Sequence, residues 1–129
     1  RGGVRIGTSE IYRSVESLSE INDSLVVSVE RSSGVQLLLL FVELNNIEDS
    51  ETLHDKINQQ ISSDFSIHYV PNKIISVPEI PYTISGKKME TPIKKILSGI
   101  PVKEAIFLDV MKNPKVVEVF NSFYKEKLS

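Results

Sequence analysis

The chain has 129 residues, of which 40% are hydrophobic, and a formal net charge of −2. This length suits one compact domain with a real core, and the near-neutral charge gives no overall attraction to nucleic acid or an anionic membrane, so any electropositive action must be local. The absence of cysteine excludes disulfides, thiolate catalysis and cysteine–metal sites and is typical of a reducing compartment. We therefore expect a cytoplasmic protein whose own residues form no metal site.

The longest apolar run, residues 37–42, is far shorter than the roughly 20 residues that a membrane helix requires. It is predicted to be a core strand instead. The chain opens at Arg1 without a methionine, inside a glycine-rich stretch, and no charged-then-apolar leader precedes the run. We expect this chain to be a piece of a longer protein.

The first half of the chain begins with a predicted helix and a hairpin. Thr8 or Ser9 is predicted to cap the helix, and a turn at 22–23 leads into strands at 24–30 and 35–44. The second strand is almost continuously apolar, which is typical of a central strand covered on both faces.

A second helix at 51–65, capped by Asp49 or Ser50, is predicted to lie on the sheet with one apolar stripe. A short strand at 73–77, stopped by Pro78, follows it. The stripe repeats every four residues: Leu53, Ile57, Ile61 and Phe65.

The second half contains two further predicted helices. The first begins at Thr91–Pro92 and ends at Gly99, and the second follows a capping signal at Asn113–Pro114. The predicted fold is a small α+β domain, in which a mainly antiparallel sheet of two or three strands is flanked by about three helices, plus a C-terminal helix. Residues 1–99 are expected to form the domain core and residues 100–129 an extension.

The stretch from Pro81 to Glu90 gives the clearest indication of a functional site. Gly86 frees the backbone directly before Lys87, and this arrangement can hold an ammonium out from a turn toward an anionic substrate. The glycine-rich stretch 1–7 is either a plain turn or a second loop that approaches a ligand or another domain.

Two motifs resemble those of the adenylate-forming superfamily, which includes acyl-CoA synthetases, luciferases and peptide-synthetase adenylation domains. Residues 81–87, Pro-x-Thr-x-Ser-Gly-Lys, resemble its Pro-Lys-Thr-x-Ser-Gly-Lys motif. Residues 2–11, Gly-Gly-Val-Arg-Ile-Gly-Thr-Ser-Glu-Ile, look like the loop that starts its mobile C-terminal domain. Within the superfamily, both look most like the CoA ligases that activate acetoacetate. The resemblance covers roughly residues 2–99, and the large N-terminal domain would lie outside this chain.

The resemblance implies two half-reactions at one site. Acetoacetate would react with ATP to give acetoacetyl-AMP, and CoA would then displace AMP. Lys87 is the implied catalytic residue of the first step, while Arg5 and Gly86 would lie near the nucleotide or the domain interface. Gly2 and Gly3 would line the CoA tunnel in the second step. ATP, CoA and Mg²⁺ would be bound mostly by the N-terminal domain, the expected partner of this one.

One departure from the superfamily concerns the CoA phosphates. Members often carry basic residues where this chain has 58–60, Asn-Gln-Gln, and 67–69, Ile-His-Tyr. No CoA-phosphate contact is therefore assigned to these positions.

Two alternatives stay open. The chain could come from another short-chain acyl-CoA synthetase, acting on acetate, propionate or butyrate, or it could be a non-catalytic interaction module that uses the lysine turn and the tail helix. The exposed position expected for Lys87 also suggests regulation by a lysine acetyltransferase and a deacetylase, because acetylation removes the charge.

Overall fold

The protein, described here by a computed structural model for residues 7–129, is built on one three-stranded sheet of order β1-β2-β3. β1 (Ile21–Glu30) and β2 (Gln36–Leu44) form an antiparallel hairpin, and β3 (Lys73–Ser76) joins β2 in parallel. The predicted hairpin and central apolar strand are confirmed. The helix that connects β2 to β3 provides the crossover that a parallel pair requires.

Helices cover both faces of the sheet, which confirms the α+β class. α1 (Thr8–Glu16) and α2 (Glu51–Asp64) pack on one face, and α3 (Glu90–Leu97), α4 (Val102–Ala105) and α5 (Val117–Phe123) pack on the other. A π-helical turn, Tyr124–Leu128, follows α5, and short 3₁₀ turns occupy Ile67–Tyr69, Leu108–Val110 and Pro114–Val116. Within residues 7–129, no helix has both the length and the apolar character needed to cross a membrane.

The sheet separates two apolar cores, and β2 contributes to both. Leu39 and Phe41 face the core shared with α3 and α5, whereas Leu38, Leu40 and Val42 face the core shared with α1 and α2. This division follows from the strand geometry, because successive side chains point to opposite faces. A continuously apolar strand is therefore what a sheet covered on both sides requires.

The helix α2 follows the sequence pattern closely. Ser50 caps it by accepting a hydrogen bond at 3.1 Å from the backbone N–H of Leu53. Leu53, Ile57 and Ile61 are buried, and Phe65 is partly buried at the helix end. The predicted stripe and cap are confirmed.

Two predicted helix N-caps were wrong. The N-cap of α1 is Gly7, and neither Thr8 nor Ser9 takes that place. α3 begins at Glu90 with Met89 at its N-cap, so Thr91 lies inside the first turn. α3 therefore starts soon after Gly86 and Lys87, and a hydrogen bond of 3.1 Å from the Met89 N–H to the Pro81 carbonyl joins the two ends of the segment between them.

The segment 22–23 is part of β1 and does not form the predicted turn. A register irregularity lies between Ile21 and Asp23 in the pairing with β2. Asn and Asp favour turns when they are solvated, but the Asp23 carboxylate has partners from other parts of the chain that hold it in the strand.

The tail packs onto this domain. Phe120 is fully buried, and its ring lies edge-on to that of Phe41 with 4.8 Å between centroids. Asn113 lies at the N-cap of the 3₁₀ turn Pro114–Val116, which runs into α5 at Val117, but its side chain makes no capping hydrogen bond. Its amide instead fixes the approach to the lysine turn, since its Nδ2 donates to the Ile80 carbonyl at 2.9 Å and its Oδ1 accepts from the Tyr82 N–H at 3.1 Å.

Candidate functional site

The Lys87 turn, residues 82–88, is a short ordered hairpin. Tyr82 and Lys88 form an antiparallel bridge, and the Thr83 N–H donates to the Lys87 carbonyl at 2.9 Å. Gly86 has a φ of +89°, a left-handed conformation that side chains disfavour. Gly86 and Lys87 are both exposed at its tip. The turn therefore presents an ammonium to solvent from a defined backbone.

The extension supports the outer side of this turn. The Ile84 N–H donates to the Val110 carbonyl at 2.8 Å, and the Lys112 N–H donates to the Tyr82 carbonyl at 3.0 Å. A β-bridge also joins Thr83 to Met111. Residues beyond 99 thus take part in holding the candidate catalytic turn, which the sequence pattern did not indicate.

Beneath the turn lies a group of polar side chains that we call the Lys88 cluster: Tyr12, Glu16, Asp23, Ser24, Tyr82 and Lys88. The Lys88 Nζ lies 2.6 Å from the Glu16 Oε2 and 3.1 Å from the Asp23 Oδ1. It also donates to the Ser24 backbone carbonyl at 2.6 Å. The Lys88 side chain is only 16% exposed, so this is a largely buried ion cluster.

Two tyrosines complete the Lys88 cluster. The Tyr12 ring lies under the ammonium, with 3.5 Å from Nζ to the ring centroid, and its hydroxyl donates to Glu90 at 2.7 Å. The Tyr82 hydroxyl donates to the Asp23 Oδ2 at 2.7 Å. Burial, followed by the neighbouring carboxylates, raises the pKa of both tyrosines above the ordinary value. Both phenols therefore keep their protons and act as donors.

The structure describes some of the predicted site residues and not others. Gly86 and Lys87 lie together at the tip of the turn. Gly2, Gly3 and Arg5 lie outside the described residues, so their assignment stays a prediction. Among residues 7–129, no group of three or more His, Asp or Glu side chains is arranged to hold a metal ion.

Sequence reasoning missed the Lys88 cluster. The signal that could have found it was a polar pair, Asp23–Ser24, placed directly before the apolar residues of a strand, together with a second lysine after Lys87. A pattern cannot tell that these residues meet, because Lys88 and its partner Glu16 are 72 positions apart.

A family match assigns this small α+β domain and its lysine turn to a class of protein. The chain belongs to the AMP-binding enzyme C-terminal domain family, whose sequence profile matches residues 11–87. The match ends at Lys87 and so includes all of the turn except Lys88.

The particular relatives that the chain resembles are acetoacetyl-CoA synthetases. It is 39% identical over 122 residues to the acetoacetyl-CoA synthetase of Caenorhabditis elegans, covering 93% of this chain and 17% of the relative. It is 36% identical over 119 residues to the acetoacetyl-coenzyme A synthetase of Rhizobium meliloti strain 1021, covering 92% and 18%. The solved acetoacetyl-CoA synthetase of Streptomyces lividans superposes with a TM-score of 0.87 at 32% identity, covering 96% of this chain and 19% of that one.

The chain thus spans less than a fifth of the length of these relatives. The matched share of this chain reaches beyond residues 11–87 in each relative, so the similarity includes part of the extension.

Proposed function

We propose that this chain is the mobile C-terminal domain of an acetoacetyl-CoA synthetase, an AMP-forming acid–thiol ligase. The observation that carries the proposal is the exposed Lys87 on its ordered turn, in a chain that resembles acetoacetyl-CoA synthetases over almost its whole length. Residues 1–99 form the main body of this domain, and residues 100–129 form an extension whose helix α5 contributes to one of the two apolar cores.

In the first half-reaction, a carboxylate oxygen of acetoacetate forms a bond to the α-phosphorus of ATP, and the bond to pyrophosphate breaks. Negative charge moves from the attacking carboxylate to the leaving pyrophosphate. Lys87 neutralises both ends of this transfer, because its ammonium is a compact charge on a flexible stem. Gly86 lets the backbone turn immediately before the ammonium and so brings it to the nucleotide.

In the second half-reaction, the CoA thiol displaces AMP from acetoacetyl-AMP, giving acetoacetyl-CoA. The domain rotates between the steps, as conformational steps of this kind complete an active site. Gly2 and Gly3 then line the CoA tunnel, where larger side chains would obstruct the thiol, and Arg5 lies near the nucleotide or the domain interface.

ATP, acetoacetate and CoA are the proposed substrates, and the N-terminal domain of the same enzyme is the proposed partner. Mg²⁺ accompanies ATP and contributes charge neutralisation at its phosphates. We assign its ligands to the N-terminal domain. The proposed compartment is the cytoplasm.

The test is the substitution Lys87→Ala in the full-length enzyme. We expect acetoacetate-dependent ATP–pyrophosphate exchange to fall by at least about 100-fold, because a group that stabilises the transition state is lost. Thioester formation from supplied acetoacetyl-AMP and CoA should stay close to wild type. The matched control is Lys94→Ala, which removes an exposed lysine of α3. Normal exchange in Lys87→Ala would reject the assignment.

The acyl group needs a separate test, because the acyl pocket would lie in the N-terminal domain. Comparison of acetoacetate with acetate, propionate and butyrate in the full-length enzyme decides between the two classes of synthetase. If one of the three other acids gives a higher kcat/KM than acetoacetate, that acid is the substrate and acetoacetate is rejected.

We also propose that Lys87 is a target of a lysine acetyltransferase and a deacetylase. Its side chain is exposed at the tip of the turn, and acetylation removes the charge on which its role depends.

A further inference from the structure

Both arms of the Lys87 turn are fastened to one carboxylate. The Asp23 Oδ2 accepts a hydrogen bond from the Tyr82 hydroxyl at 2.7 Å, and the Asp23 Oδ1 lies 3.1 Å from the Lys88 ammonium. Tyr82 enters the turn and Lys88 leaves it, and the two residues also pair through their backbones. Asp23 therefore fixes the base of the hairpin on β1.

The neighbours of Lys88 restrict the position of its ammonium. Its ammonium has three donors, and it has three acceptors within reach: Glu16, Asp23 and the carbonyl of Ser24. The Ser24 hydroxyl in turn donates to the Glu16 Oε2 at 2.6 Å, which holds that carboxylate in place. With the Tyr12 ring closing one side, the ammonium has little freedom to move.

An ordinary surface ion pair does not constrain its residues in this way. Lys56 and Glu20 lie 2.6 Å apart, yet the Lys56 side chain is 52% exposed, against 16% for Lys88. Exposed pairs fix little, because both side chains stay solvated and mobile. Removal of one partner from a buried cluster leaves the other charges uncompensated.

The direction of Lys88 also sets the direction of its neighbour. Successive side chains of an extended segment point to opposite sides. Lys88 points into the cluster beneath the turn, and Lys87 accordingly points away from the domain and is exposed.

We infer that Lys88 is a positioning residue for Lys87: the cluster of Lys88, Asp23, Glu16 and Tyr82 sets where the Lys87 ammonium meets the reacting phosphate. The inference rests on the proposed function of Lys87. Catalytic groups need this support, since a misplacement of about 1 Å costs on the order of 100-fold in rate. The cluster serves only the half-reaction in which Lys87 takes part.

The experiment compares Lys88→Met with the matched control Lys56→Met in the full-length enzyme, measuring the two half-reactions separately. For Lys88→Met we expect kcat of pyrophosphate exchange to fall about 10- to 100-fold, with KM for ATP and acetoacetate changed less than about threefold. Thioester formation from supplied acetoacetyl-AMP should also stay within about threefold. Lys88→Arg, which keeps the charge, should recover part of the exchange rate, and Lys56→Met should match wild type.

An equal loss in both half-reactions would show that Lys88 has only a general structural role and would overturn the inference, as would unchanged exchange. If Lys88→Met does not fold, Tyr82→Phe tests the same point, because it removes only the hydroxyl that binds Asp23. Tyr82→Phe should slow exchange about three- to tenfold while sparing thioester formation, and a wild-type exchange rate would overturn the inference.

The experiments distinguish failure of the proposed function from failure of the positioning role alone. If Lys87→Ala keeps normal exchange, both proposals are rejected. If Lys87→Ala abolishes exchange while the folded Lys88→Met and Tyr82→Phe variants keep it, Lys87 stays catalytic and the positioning role alone is rejected.

Discussion

Lys87 and Lys88 are neighbours with opposite environments. Lys87 is exposed at the tip of the turn, and Lys88 is held by carboxylates on α1 and β1. A modifying enzyme that reaches the turn would therefore reach the ammonium of Lys87, whereas that of Lys88 is shielded by the cluster.

Acetylation of Lys87 should silence the first half-reaction. With acetyl-lysine incorporated at position 87 of the full-length enzyme, we expect pyrophosphate exchange to fall at least about 100-fold, because the charge that stabilises the transition state is gone. Treatment with a deacetylase should restore the rate. Acetyl-lysine at the exposed position 94 is the control, and full exchange activity with acetylated Lys87 would contradict the prediction.

At the scale of single residues, the sequence predicted the features that depend on neighbouring residues and missed those that depend on contacts between distant parts of the chain. The exposure of Lys87 follows from Gly86 and the turn residues beside it, so a short window was enough. The burial of Lys88 depends on Glu16 and Asp23, which come from the other half of the chain. Nothing in residues 81–90 distinguishes a buried lysine from a solvated one.

At the scale of elements, the position of the tail, residues 100–129, matters most for the support of the Lys87 turn. Residues 108–112 support the Lys87 turn through backbone hydrogen bonds, and α5 holds the tail on the sheet through Phe120. The apolar stripe of α5 predicted that this helix packs against a surface, but the sequence did not indicate which surface. The pairing of Phe120 with Phe41 in β2 gives the answer.

Phe120→Ala should strongly destabilise the chain. Since the side chain is fully buried, we expect the free energy of unfolding to fall by about 3–5 kcal/mol. The measurement is denaturant unfolding, read as a lower midpoint at an unchanged m-value. The matched control is Phe107→Ala, because Phe107 is 80% exposed and its loss should change stability by less than about 0.5 kcal/mol. Equal effects of the two substitutions would mean that the tail is not part of the core.

Element boundaries show why caps are hard to predict. Asp49 or Ser50 was predicted to cap α2, and the Ser50 hydroxyl does so through a local hydrogen bond that a short stretch of sequence can indicate. The starts of α1 and α3 use Gly7 and Met89, which supply no capping side chain. Asn113 carried a capping signal, but its amide binds Ile80 and Tyr82, so a distant segment outcompeted the local role.

At the scale of the whole molecule, the chain carries the proposed catalytic lysine on a fold with two apolar cores. The two cores on either side of the sheet give the chain a compact interior. The sequence profile of the family matches residues 11–87, which is more than half of the chain. The class of fold could be predicted because it depends on hydrophobic periodicity. The arrangement of the extension around the turn could not, because it depends on contacts between residues far apart in sequence.

The 129-residue chain should fold alone and be inactive alone. We expect cooperative unfolding, together with no acetoacetate-dependent pyrophosphate exchange and no measurable heat when ATP is titrated in. The physical reason is that Lys87 is exposed and the remaining contacts to the nucleotide would come from the N-terminal domain. The full-length enzyme is the positive control. Specific ligand binding by the isolated chain would favour the interaction-module alternative.

The contacts of the Lys88 cluster with the backbone of β1 have one more consequence. β1 lies at the edge of the sheet, and within residues 7–129 it has a partner strand only on the side of β2. An open edge is a template for pairing with another chain. Here the Tyr12 hydroxyl accepts from the Val26 N–H at 3.1 Å, and the Lys88 ammonium binds the Ser24 carbonyl at 2.6 Å. An incoming strand would have to displace both side chains, so the cluster also protects this edge against aggregation.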